Sequence, residues 1–72
     1  MRLTRHARNR LRWISRRHVS VSEAKLLEAI PGALTVGYDD RGNRRARVTI
    51  GTTSLILVID ESQGSVITMW VE

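Results

Sequence analysis

Along the first part of the chain the apolar residues fall at helical spacing. At about 100° per residue, Leu3, Ala7, Leu11 and Ile14 line one stripe, and Arg5, Arg8 and Arg12 lie opposite. This predicts an amphipathic first helix with Thr4 placed to cap it. His6, Arg10 and Trp13, at positions i, i+4 and i+7, occupy the flank between the apolar stripe and the solvent face. A second helix is predicted to begin at Ser20-Val21-Ser22-Glu23, a capping box in which Ser20 and Glu23 satisfy each other's backbone donors. Val21, Ala24, Leu27 and Ile30 would form its buried face, and Pro31-Gly32 would end it.

Beyond Gly32 the period shortens to that of strands. Segments 34–38 and 45–50 flank the turn-rich Asp39-Asp40-Arg41-Gly42-Asn43, which reads as a hairpin loop. Ala46, Val48 and Ile50 alternate with Arg45, Arg47 and Thr49, so one face is apolar and the other basic. Segment 54–60 is almost continuously aliphatic, as in a central strand, and 65–71 follows a further short turn. Short connections favour antiparallel neighbours. The expected fold is α+β, one domain over residues 1–72. Two N-terminal helices pack on one face of a three- to four-stranded antiparallel meander, in the order α-α-β-β-β-β.

Composition narrows the chemistry. The chain has no cysteine and no His-carboxylate cluster at ligand spacing, so neither a disulfide nor a metal is expected, and no cofactor motif is present. The longest aliphatic run is only a strand's length, which points to a cytoplasmic protein without membrane contact. The net charge of +5 is segregated: residues 1–20 carry +7 with no acid, 21–40 carry −3, 41–47 carry +4 and the remainder −3. All but one of the cations are arginines, whose planar fork grips phosphate at two points and stacks on bases. A polyanion is the expected partner, and RNA, free or on the ribosome, the expected polyanion.

His6-Ala7 followed by Arg10, a helix from Val21, the hairpin Gly42-Asn43-Arg44-Arg45 and a final Val66-Ile67-Thr68 together resemble a known pattern. The chain is similar to small bacterial domains grouped with the RelE and ParE toxins, in the barnase, EndoU, colicin and RelE fold group. That resemblance implies a RelE/ParE-like scaffold and a metal-independent ribonuclease toxin, from a bacterium or phage, whose site lies on the first helix and the sheet face. It also implies an antitoxin or other inhibitory protein as a partner.

Cleavage of RNA without a metal needs a proton carrier near the ribose 2′-OH and cations around the phosphorane. His6 is the candidate proton carrier, Arg10 the phosphate ligand one turn on, and Thr68 a hydrogen-bonding partner for phosphate or for His6. Arg5, Arg8, Arg12, Trp13, Arg44, Arg45 and Arg47 are the candidate nucleic-acid contacts. Two other functions fit the same residues. One is non-catalytic nucleic-acid binding. The other is a small inhibitor or adaptor that applies the basic helix to an acidic protein. An edge strand in so small a sheet also invites a homodimer.

Overall fold

Thr4 stands where a short strand turns into a helix, and its bonds fix the first corner of the fold. The computed structural model describes residues 1–72. Strand β1 (Arg2–Leu3) leads directly into helix α1 (Arg5–Arg17), and helix α2 (Glu23–Ala29) follows with a 3-10 turn at Ile30–Gly32. Strands β2 (Leu34–Tyr38), β3 (Arg44–Ile50), β4 (Thr53–Asp60) and β5 (Ser65–Val71) complete the chain. They form one sheet in the order β1-β5-β4-β3-β2.

The fold is therefore α+β, but the expected α-α-β-β-β-β order and all-antiparallel meander are wrong. A strand precedes the helices, and it pairs parallel to β5, with Arg2 opposite Ser65 and Leu3 opposite Val66. The meander is right only for β2 to β5, whose successive pairs are antiparallel. A two-residue strand shows no alternation to detect, and Leu3 sits one turn before Ala7, so helical spacing absorbs it.

The Thr4 side chain accepts a hydrogen bond from the Ala7 amide at 3.1 Å, as an N-cap does. Its hydroxyl donates to the Ile67 carbonyl at 2.9 Å, and its amide donates to the Val66 carbonyl at 3.1 Å. Both carbonyls face the same residue because β5 carries a bulge. Val58 faces Thr68 whereas Ile59 faces Val66, leaving Ile67 as the extra residue. Replacing Thr4 with Ala removes the cap and orphans the Ile67 carbonyl, so a loss of about 1–3 kcal/mol is expected. Thermal unfolding of Thr4→Ala and Thr4→Ser tests it, since only the serine keeps the hydroxyl.

The second helix starts later than expected. Ser22, not Ser20, is its N-cap, accepting from the Lys25 amide at 3.1 Å. Its inward residue is Leu26, fully buried, while Ala24 is exposed. The preceding turn is held by Ser15, whose hydroxyl donates to the Val21 carbonyl at 3.1 Å. This anchors Val21 as part of the turn, and the helical phase begins only after it.

One face of the sheet carries the core. Ala7, Leu11 and Ile14 of α1, with Leu26 and Ile30, meet Ala46 and Val48, Leu55, Leu57 and Ile59, and Val66 and Met69. The other face has no helix over it. Ile56 and Val58 are nevertheless buried there. The register places Ile56 between Arg47 and Trp70, and Val58 between Arg45 and Thr68. Long side chains on the neighbouring strands thus shelter the apolar pair.

Candidate nucleic-acid interface

Alternation and the bulge together decide what the open face displays. Counting every second residue from Val66 would put Thr68 and Trp70 in the core. Because Ile67 is extra, Val66 and Met69 turn inward, and Thr68 and Trp70 come up on the open face. There they meet Arg45 and Arg47 of β3 in two cross-strand rows. One row runs Arg45, Val58, Thr68, and the other runs Arg47, Ile56, Trp70.

The first row continues onto α1. His6 Nε2 lies 3.0 Å from Thr68 Oγ1, across 62 residues of sequence. The hydroxyl donates when Nε2 is bare and accepts when Nε2 carries a proton. His6 is exposed, and its Nδ1 has no protein partner. Arg45 lies two strands away, about 10 Å between backbones, and is exposed with no ion pair of its own. Between Arg45 and Thr68, with His6 outside its lining, a shallow groove of about 430 Å³ is bounded by the hairpin loop 39–43, Val58, Ile67 and Trp70. Its dimensions suit a nucleotide-sized group.

The loop at the groove's rim is rigidly built. Asp39 accepts from the Arg41 and Asn43 amides at 2.9 and 2.8 Å and from the Asn43 side chain at 3.0 Å, and Gly42 turns the chain at φ +82°. Burial pushes the Asp39 carboxyl up, but the bonds from Asn43 and Arg41 and the nearby Arg45 charge outweigh it and hold the carboxyl below its ordinary value. This acid stays ionised and committed to the loop.

The remaining predicted residues divide by what they already hold. Arg10 donates from Nε to the Met69 carbonyl at 3.1 Å, which leaves its terminal amino groups without a protein partner. Its guanidinium carbon also lies 5.0 Å from the Trp13 ring centroid, as does that of Arg17 from the following turn. His18 approaches the same ring at 5.4 Å. Trp13 thus packs against two arginines and His18 while staying partly exposed.

Arg47 is paired with Glu72 at 2.6 Å, Arg44 with Glu61 at 2.6 Å and Arg8 with Glu23 at 3.0 Å. The hydrogen bond from Arg47, ahead of its charge, draws the Glu72 carboxyl below its ordinary value despite a burial penalty. Arg12 bonds only to Asn9, at 3.3 Å, and Arg5 is exposed without an ion pair. Around α1, Arg8 and Arg12 look toward Val21 and Glu23, on the flank away from His6 and Arg10. The structure therefore brings His6, Thr68, Arg45 and Arg10 to one side, and takes Arg8, Arg12 and Arg44 elsewhere.

Three further residues lie beside the predicted ones. Arg17 extends the His6 flank by one more turn beyond Trp13, and its i+4 spacing was a usable signal. Arg41 and Trp70 line the groove, the first because of the loop and the second because of the bulge. No three His, Cys, Asp or Glu side chains come together in a way that could hold a metal ion. No helix is long and apolar enough to cross a membrane. Comparison with protein-family models, with curated proteins and with solved structures finds no match to this chain.

Proposed function

We propose that this chain is a cytoplasmic, RelE-like toxin that cleaves single-stranded RNA without a metal, laying the strand over the open sheet face and the His6 flank of α1. The observation that carries the reading is the His6–Thr68 pair, 3.0 Å apart on an exposed surface one helical turn from Arg10, whose terminal amino groups have no protein partner. In this scheme Thr68 holds Nε2, and the free Nδ1 takes the proton from a ribose 2′-OH. The 2′-oxygen attacks the adjacent phosphorus, and the bond to the 5′-oxygen breaks. A 2′,3′-cyclic phosphate forms on one fragment, and the departing 5′-oxygen takes a proton from water. Arg45 and the terminal amino groups of Arg10 neutralise the phosphate oxygens.

Incubation with a labelled oligoribonucleotide in excess chelator tests the chemistry. Fragments ending in a cyclic phosphate and a 5′-hydroxyl are expected, and an intact strand, with and without ribosomes, sinks the ribonuclease reading. Binding is tested separately on a substrate with a 2′-deoxy cleavage position. If Arg10, Arg17, Arg41 and Arg45 each meet one phosphate, the log–log salt slope is about −2.8, and affinity falls about 50-fold between about 50 and 200 mM salt. Arg45→Ala is expected to remove about 0.7 from that slope. A flat salt response would overturn the polyanion reading as well.

A further inference from the structure

The chain's two tryptophans stand in different surroundings. Trp13 packs against Arg10, Arg17 and His18. Trp70 has no aromatic or cationic partner at its ring. The bulge at Ile67 brings it up on the open face, where it is 37% exposed and lines the groove together with Val58 and Ile67. Ile56, its partner on β4, is only 5% exposed, so the indole covers apolar surface beneath it and shows the remainder to solvent. The groove therefore has an apolar floor and a polar wall, the wall supplied by Asp39, Asp40, Arg41, Asn43 and Arg45.

We propose that Trp70 is a stacking platform for one unpaired nucleobase and that the groove beside it is that base's subsite. The proposal rests on the RNA reading of the open face and names how the strand is gripped there. Charge selects a base over a phosphate. The carboxylates of Asp39 and Asp40 stand in the wall, so a phosphate inside the groove meets like charge. A base is uncharged, and Asp40, exposed and free of any ion pair, can accept from the N–H groups on its edge. Shape selects a base over an aliphatic side chain, because only the base has an apolar face for the floor and a polar edge for the wall. Arg45, in the same wall and without an ion pair, is placed to take a phosphate of that nucleotide.

Stacking on a side chain asks for a base that is splayed out of a single strand, and it tolerates any sequence because every base has a π-face. Trp70 follows Thr68 by two residues on the same face of β5, a distance of about 7 Å. A base held on Trp70 thus fixes which neighbouring nucleotide comes to the His6–Thr68 pair.

The test is fluorescence anisotropy on a labelled 2′-O-methyl oligoribonucleotide, which offers no 2′-OH for cleavage. Trp70→Leu keeps an apolar cover over Ile56 without a flat ring, and Trp70→Phe keeps a ring. Trp70→Leu is expected to weaken binding about 5- to 150-fold with the salt slope unchanged, and Trp70→Phe to stay within about threefold of wild type. In a Trp13→Phe background Trp70 is the sole tryptophan. Saturating single strand should quench its emission, and the same strand annealed to its complement should not. Wild-type affinity in Trp70→Leu, an equal loss in Trp70→Leu and Trp70→Phe, or unquenched emission at saturation would each overturn the platform, while a salt-dependent affinity would leave the RNA reading standing. No binding by any of these proteins would overturn both.

Discussion

His6→Ala is expected to slow RNA cleavage by about 10²–10⁴-fold, the range supplied by a single positioned proton carrier. The side chain is exposed and lies outside the core, so its loss should leave the fold and the melting temperature almost unchanged. RNA affinity should also change little, because the arginines that would meet phosphate remain. The combination of an intact fold, retained binding and lost turnover separates a catalytic His6 from a packing residue. Thr68→Val removes only the hydroxyl that holds Nε2, and is expected to lower the rate less than His6→Ala. A His6→Ala protein that cleaves at the wild-type rate would place the chemistry elsewhere. If wild type binds and never cleaves, the protein is a nucleic-acid binder with the same surface.

The largest stability effect is expected at Leu57. It is fully buried in the middle of β4, facing Ala46 on one side and Met69 on the other. Truncation to Ala removes three methyl or methylene-sized groups from a packed site and leaves a cavity, at a cost of about 2–5 kcal/mol. A domain of this length has roughly 4–11 kcal/mol in total. The substitution therefore consumes a large part of the margin, and a chain without cysteine has no disulfide to compensate. Urea denaturation should show the midpoint falling steeply with little change in m, since the surface exposed on unfolding is nearly the same. Ile56→Ala offers a comparison within the same strand. Ile56 points to the open face under Arg47 and Trp70, where side chains can settle into the gap, so a smaller loss is expected.

The sequence made the strands from residue 34 onward legible because their periodicity is plain. Leu55 to Ile59 could only be a central strand, and the alternation of Arg45, Arg47 and Thr49 with Ala46, Val48 and Ile50 assigned the faces of β3. The two failures have different causes, since local pattern is silent about long-range pairing and two serines can fit one capping signature. β1 is two residues long and exists only because β5 offers an edge, 63 positions later. The second helix was started too early because Ser20 and Ser22 both fit a capping signature, and only the Ser15 bond to Val21 decides between them. His6 and Thr68 lie in contact, one of the two roles open to Thr68, whereas the ion pairs of Arg47 with Glu72 and Arg44 with Glu61 depend on the meander's register, which no spacing along the chain reveals.

Thr4 and His6 both spend their bonds on the last strand of the fold. During synthesis, the segment carrying His6 leaves the ribosome well before Thr68 has been translated. Until β5 arrives, the first helix lacks its cap-to-strand anchor, the Arg10 guanidinium has no Met69 carbonyl to grip, and the histidine has no hydroxyl to hold it. A chain truncated before residue 65 would carry every cation of the basic blocks yet no assembled site. The order of translation thus makes the contact between the first helix and the last strand the final one to form.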